Sequence, residues 1–516
     1  MRHKLAFLLL ISFLVSFAVF AELQNVEVGG SIRLRWNYIS NNFTDFAGPA
    51  PVPATRWGAL SVLGRPIGNL LGPGVSSIFD WDNEGSDLSF VEQRTRLHIN
   101  ADFTDQVRAY LELDSYDVWG EDFRSVDYVT GVDTRAKSTE DVEVYQAYVE
   151  ANEMWGTPLK LRVGRQELAF GSQFLVGPRD FAFFWTGLSF DAVRLTYDAE
   201  TFTVDAWASK LYESMSDFFE DDLNFYGVYA TCKAVENVVF DIYWMLLEDD
   251  RPIPNDLAVI PDGDFLSSLL GVGNYDKTML HTVGFRSAGK FDAFDYDVEV
   301  AYQFGEADHI GKLFRVGLIG DDDADFDNWG GKLDVGYTLD FWRQPRVFAS
   351  FRYFGGEDNR AVSLWEWLNP FYKPEASVSF NRLFSNEISS GFLDLWNDLS
   401  NAWWARVGAN GALTDSLRAI LFVSYYEAVE TFERPVWPYI FPWWTKSSDD
   451  YLGTDLALFF EYQYSPDLVI EFGWSHLFVG DGLTEGNFVR WNGMLYTGGS
   501  DDDGVDYVYA GCKLNF

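Results

Sequence analysis

A chain of 516 residues with a formal net charge of −40 lacks the basic footprint that binds nucleic acid by bulk attraction. Nearly half of its residues are hydrophobic, with Phe, Tyr and Trp occurring 45, 26 and 20 times. After residue 21, however, no apolar run is long enough for a spanning helix.

At the start, Arg2, His3 and Lys4 precede an apolar run from Leu5 to Phe20, and Val19-Phe20-Ala21 offers small residues at a cleavage position. Residues 1–21 read as a secretory signal peptide, with the mature chain expected from Glu22. No Pro- or Ser-rich linker divides residues 22–516, which are expected to form one domain.

From Val26 to Tyr38, Val26, Val28, Ile32, Leu34, Trp36 and Tyr38 share one face, while Glu27, Ser31, Arg33, Arg35 and Asn37 share the other. Such two-residue alternation is the signature of a strand with one apolar and one polar face. The next strand, about Phe90 to Phe103, places Arg94, Arg96, His98, Asn100 and Asp102 on its polar face. A turn at Thr104-Asp105-Gln106 leads to a third strand from Val107. Pairing Phe103 with Val107 sets Asp102 opposite Arg108, His98 opposite Glu112 and Arg96 opposite Asp114.

Further strands are expected near Val142–Asn152, Leu159–Leu168, Phe190–Asp198, Phe202–Tyr212, Leu223–Lys233 and Val238–Leu247. Others follow near Met279–Lys290, Phe294–Phe304, Trp329–Asp340, Arg346–Phe354, Trp403–Leu413 and Leu417–Ala428. The last are near Asp455–Ser465, Leu468–Leu477 and Asp506–Phe516, for about 18 in all.

Short turns such as Asp198–Thr201, Val235–Asn237, Thr414-Asp415 and Pro466-Asp467 alternate with long segments. The long loops fall at about 41–89, 119–141, 248–277, 305–328, 355–402, 429–454 and 478–505. This asymmetry matches the periplasmic turns and extracellular loops of a transmembrane β-barrel, and a soluble sandwich has no reason to keep it. The expected fold is therefore all-β: one antiparallel barrel in the outer membrane, with apolar faces on lipid and polar faces on the lumen. A Trp-rich piece, Pro435–Trp444, has two open placements, in the mouth or at the membrane interface. The chain ends YAGCKLNF, and Tyr509, Gly511, Leu514 and Phe516 resemble the signal read by the barrel assembly machinery.

The stretch from Leu159 to Asp198, LKLRVGRQELAFGSQFLVGPRDFAFFWTGLSFDAVRLTYD, reads as strand, long loop, strand. Its GRQELAFGSQFLVGPRDFAFFWTGLSFDAVRL portion resembles the signature of the alginate-export family of outer-membrane porins. LGTDLALFFEYQYSPDLVIEFGWSHLFVGDG, Leu452 to Gly482, is similar to that family's C-terminal hairpin. The resemblance implies a monomeric 18-stranded barrel that passes an anionic polysaccharide through a constriction of arginine and lysine. By motif it carries over Arg165, Gln166, Arg179, Asp191 and Arg194.

Parity alone places Arg33, Arg35, Arg94, Arg96, Arg108, Arg162, Arg194, Lys332, Arg352, Arg406 and Arg418 on lumen faces. Glu112, Asp114, Asp297, Glu299, Asp334, Glu461 and Glu471 share those faces. Arginine rings select anions, whereas cross-strand pairs merely brace the wall. Arg33, Arg35 and Arg94 are the foremost selecting candidates, as neighbours on adjacent strands without an evident acidic partner. Arg165 has the parity of the lipid face, which puts it at the rim or after a bulge.

Asp321, Asp323 and Asp325, like Asp501–Asp503, are weak Ca²⁺ candidates without EF-hand spacing. No HExxH, paired-His, Gly-x-Ser-x-Gly or phosphate-loop motif appears, so neither an enzyme nor a cofactor is expected. Cys232 and Cys512 are too few for a disulfide scaffold, and their pairing stays open. The expected function is passive diffusion of anionic or sugar-type solutes, with outer-membrane lipid and small solutes or anionic oligosaccharides as partners. A weakly selective porin and a plugged structural or adhesive barrel are the alternatives.

Overall fold

The computed structural model describes residues 23–41, 87–104, 106–119, 142–179, 185, 187–213, 222–250, 277–306, 325–356, 377–388, 399–431, 435–436, 443–444, 449–484, 487–491, 494–497 and 504–516. The expected signal peptide, Asp321, Asp323 and Asp501–Asp503 lie outside them. In chain order the wall begins with β1 (Asn25–Ile39), β2 (Leu88–Thr104), β3 (Val107–Val118), β4 (Glu143–Ala151), β5 (Leu159–Gln166) and β6 (Phe190–Asp198). It continues with β7 (Phe202–Tyr212), β8 (Leu223–Val235), β9 (Val238–Asp249), β10 (Thr278–Phe291), β11 (Phe294–Glu306) and β12 (Asp325–Thr338). The last wall strands are β13 (Arg346–Phe354), β14 (Ala402–Ala412), β15 (Leu417–Ala428), β16 (Tyr451–Gln463), β17 (Leu468–Val479) and β18 (Val505–Asn515).

Each of these 18 strands pairs antiparallel with its sequence neighbour, and β18 returns to β1 from Tyr507↔Ile39 to Asn515↔Ser31. Reciprocal bonds between Gly30 and Phe516, at 2.8 and 3.0 Å, complete the seam. Closure satisfies every ladder without an open edge, which is what a strand structure needs inside hydrocarbon. No helix among the described residues is long and apolar enough to cross a membrane.

The β2–β3 register has Asp102↔Arg108, His98↔Glu112 and Arg96↔Asp114, as expected. The turn corrects the expectation: Thr104, not Phe103, faces Val107. A bulge between Asp102 and Thr104 absorbs the extra residue, so the register beyond it is unchanged. Two strands start earlier than their apolar alternation does. β12 is extended by pairing Asp325 with Glu306, and β16 by pairing Gly453 with Val479.

The wall is inside-out relative to a soluble protein. Val26, Val28, Ile99, Val163, Val193, Ile242, Val300, Val407 and Phe472 are exposed, whereas Arg35, Glu92, Arg94, Asp114, Glu150 and Lys332 are buried. Exposed Trp155, Phe202, Phe291, Phe294, Trp342 and Tyr464 gather near the short turns. Trp36, Trp119, Trp244, Trp329 and Phe478 gather toward the long connections. Two aromatic girdles on an apolar outer band mark the two membrane–water interfaces.

Two connections fold into the lumen. After β5, residues 167–179 enter the barrel, and Phe170 stacks on the inward rings of Trp207 and Tyr229 at 4.4 and 5.3 Å. After β13, residues 379–388 run beside them through the parallel bridge Val176↔Phe384. Phe384 N–H donates to the Leu175 carbonyl at 2.9 Å, and Gly177 N–H to the Phe384 carbonyl at 2.9 Å. Phe174 then packs on Phe354, and Phe354 on Phe380, at 5.4 and 5.6 Å. The hydrophobic core therefore lies inside the barrel, between these segments and one side of the wall.

Candidate lumen site

On β1 and β2, Arg33 stands directly opposite Arg94 and Arg35 opposite Glu92. The adjacency of these arginines is as expected, but their lack of acidic partners is not. Arg33 donates to Glu471 across the seam at 3.3 Å, Arg35 Nε lies 3.3 Å from Glu92, and Arg94 Nη2 lies 2.5 Å from Asp114. For Arg33 closure is the physical reason, because it brings β17 within reach of β1 and no local pattern announces that neighbour, whereas Glu92 and Asp114 come from the neighbouring strands β2 and β3. Arg96 also donates to Asp114, at 3.0 Å, and lies 3.5 Å from Glu112. The Trp185 ring sits against both Arg33 and Arg35, 4.0 and 4.3 Å from their guanidinium carbons. Arg96 covers the Tyr145 ring at 4.1 Å.

Around the wall, Arg162 donates to Glu150 and Arg194 to Asp205, at 2.8 and 2.9 Å. Arg165 does not line the lumen. It shares the outward face of Val163 and makes a two-point pair with Asp191 at 2.9 and 3.0 Å, one residue from the end of β5. The β4–β5 ladder has no bulge there, so strand parity alone sends it outward. Gln166, the next residue, points inward and is fully buried. Arg179 is half-buried at the end of the first inward segment, with φ 51°.

Lys332 and Arg352 meet on the opposite wall around Glu387, which belongs to the second inward segment. Arg352 donates to Glu387 and to Asp334, both at 2.9 Å, while Lys332 lies 3.5 Å from Glu387 and 3.3 Å from Asp297. Next to them Ser172 donates to Glu299 at 2.6 Å, as does Tyr243 at 2.9 Å. Arg286, absent from the sequence-derived candidates, bridges Asp297 at 2.8 Å and Asp241 at 2.7 Å. Its parity within β10 carried the signal. Trp185 and Glu387 carried none, because loop residues have no facial periodicity.

The inward segments leave a cavity of about 690 Å³ against β14–β18 and β1. Arg33, Arg35, Arg406 and Arg418 line it with Asp455, Glu461 and Glu471. Arg406 donates to Ser424 at 2.8 Å and covers the Phe422 ring at 4.2 Å. Four guanidinium groups and three carboxylates thus share the cavity wall, with Glu92 beside Arg35.

Asp325 opens β12 opposite Glu306, and no group of three potential metal ligands occurs among the described residues. Cys232 and Cys512 are free thiols on strands that do not pair. Tyr509 faces the lumen and Phe516 is exposed at the seam. Pro435–Val436 pairs with Trp443–Trp444 as a small hairpin, whose side chains lie outside the described ones.

The sequence profile of the family described as Alginate export matches residues 80–492. No curated protein matches the sequence. Among solved structures, Pseudomonas aeruginosa OccK5 (OpdH) is similar with a TM-score of 0.44 at 11% identity, covering 95% of this chain and 98% of that one. Acinetobacter baumannii OccAB4 gives 0.48 at 10% identity, with coverage of 96% and 100%. The anion-selective porin from Comamonas acidovorans gives 0.41 at 8% identity, with coverage of 95% and 99%.

Proposed function

From the premise that this chain belongs to the Alginate export family and is an outer-membrane channel for solutes of a Gram-negative bacterium, we propose that it passes anions by passive diffusion. Small carboxylates and acidic sugars are the solutes in view. The cavity beside β1 carries this reading, with Arg33, Arg35, Arg406 and Arg418 facing Asp455, Glu461 and Glu471. Arg33 and Arg35 are the selecting pair, and Trp185 holds both guanidinium groups in place by cation–π contact. The barrel acts as a monomer, without catalysis or a cofactor. Tyr509, Gly511, Leu514 and Phe516 serve its assembly.

Reversal potentials of the refolded mature protein in a potassium chloride gradient test the proposal. A chloride preference that falls in an Arg33→Ala/Arg35→Ala double variant is the expected outcome. Equal permeability of the two ions would replace it with a weakly selective porin, the reading favoured by the carboxylate beside each of these two arginines. A correctly folded protein that carries no current would instead point to a closed lumen.

A further inference from the structure

We infer that Arg418 and Glu461 form a docking site for zwitterionic amino acids, a solute class beyond the anions proposed above. The inference needs an open channel but not the anion preference. Of the seven charged side chains that line the cavity, five are engaged or buried. Arg33 is bonded to Glu471, Arg35 lies against Glu92, and Arg406 donates to Ser424. Asp455 is only 2% exposed.

Arg418 and Glu461 differ from these five. Both are exposed and both border the cavity. Neither makes a hydrogen bond or an ion pair among the described residues. They stand directly opposite each other on β15 and β16, within two residues of the strand ends. Directly opposed residues hold their Cβ atoms roughly 5 Å apart, so a cationic and an anionic head group share one patch without meeting. On its other side Glu461 faces Glu471 in register, and Glu471 is bonded to Arg33 across β18. Like charges directly opposite each other are destabilising. An ammonium group placed against Glu461 relieves that repulsion.

A small anion gains at Arg418 what it loses at Glu461, and a small cation the reverse. A solute that carries both charges on one short chain gains at both. Its carboxylate accepts two parallel N–H groups of the guanidinium, and its ammonium donates to Glu461. Ile420 and Phe459, opposite each other two residues along the same strands, offer its methylenes an apolar side. Ion pairs between exposed groups are weak. The docked solute therefore leaves readily, as passage requires.

Swelling of proteoliposomes that carry the refolded protein is the test, with β-alanine and lactamide as osmolytes. The two are isomers, matched in mass, but β-alanine is a zwitterion and lactamide is uncharged. After subtraction of protein-free liposomes, β-alanine is expected to enter at least about threefold faster than lactamide. An Arg418→Gln/Glu461→Gln double variant removes both charges and leaves the net charge of the lumen as it was. In that variant the ratio is expected to fall to about one. Equal rates in the unsubstituted protein overturn the inference. An undiminished ratio in the double variant, shown to be folded by its heat-induced gel shift, does so too. Should the variant not fold, the ratio in the unsubstituted protein decides. Equal rates alongside a chloride preference remove the zwitterion site and leave the anion reading standing. Faster β-alanine entry without a chloride preference does the reverse.

Discussion

Glu387 and Arg352 are 35 positions apart in sequence, and the Glu387 carboxylate accepts the Arg352 Nε–H at 2.9 Å inside the barrel. The bond ties a loop segment to the wall, and Lys332 supports it from 3.5 Å. Replacing Glu387 by Ala leaves two buried cations without this carboxylate. Removing one partner of a buried pair costs about 3–5 kcal/mol. The Glu387→Ala variant is expected to show larger or noisier single-channel currents and a lower unfolding temperature. Currents indistinguishable from those of the parent protein would mean that the segment is held by its rings alone.

Gly187 has φ +71°, and a Cβ placed on it would lie 2.7 Å from Arg94 Nη2 and 2.8 Å from Arg96 Nη2. A Gly187→Ala substitution therefore meets both backbone strain and a rigidly paired guanidinium. The expected result is a loss of about 1–3 kcal/mol and an altered pore current. Parent-like stability together with parent-like current would show that the loop can rearrange freely there.

Asp114 receives Arg94 and Arg96 together, at 2.5 and 3.0 Å. Asp114→Asn keeps the shape and removes the charge. Stability is expected to fall by several kcal/mol, on the order of 3, read as a lower temperature for the heat-induced gel shift. A shift temperature equal to the parent's would show that the cluster's other carboxylates suffice.

The Arg165–Asp191 pair is exposed on the outer face, with side chains 46% and 55% accessible. An Arg165→Met variant is expected to keep the ion selectivity of the parent. Any drop in chloride preference would place Arg165 in the conduction path, contrary to its strand parity.

Selectivity itself is expected to depend on salt. The screening length falls from about 10 Å at 0.1 M to about 3 Å at 1 M, so the chloride preference set by Arg33 and Arg35 should shrink over that range. Reversal potentials at matched gradients check this. A constant preference would point to steric selection instead of electrostatic selection.

Strand positions and facing were legible in the sequence because they rest on a two-residue period that each segment carries by itself. Phe190–Asp198, Phe202–Tyr212, Arg346–Phe354 and Leu417–Ala428 begin and end where the alternation does. The pairing of Arg96 with Asp114 was readable too, since a short turn joins their strands. Arg33 with Glu471 was not, because 438 residues separate them and only closure of the barrel makes them neighbours.

The amino-acid pattern by itself determined the wall: 18 amphipathic strands, short and long connections in turn, and lumen arginines facing lumen carboxylates. Tertiary structure alone decided how much of the lumen stays open. Val176 meets Phe384, Ser172 meets Glu299, and Trp185 packs against Arg33 and Arg35. Periodicity is a property of neighbouring residues, whereas the docking of a loop inside a barrel depends on the shape and charge of a surface that exists only once the strands have closed.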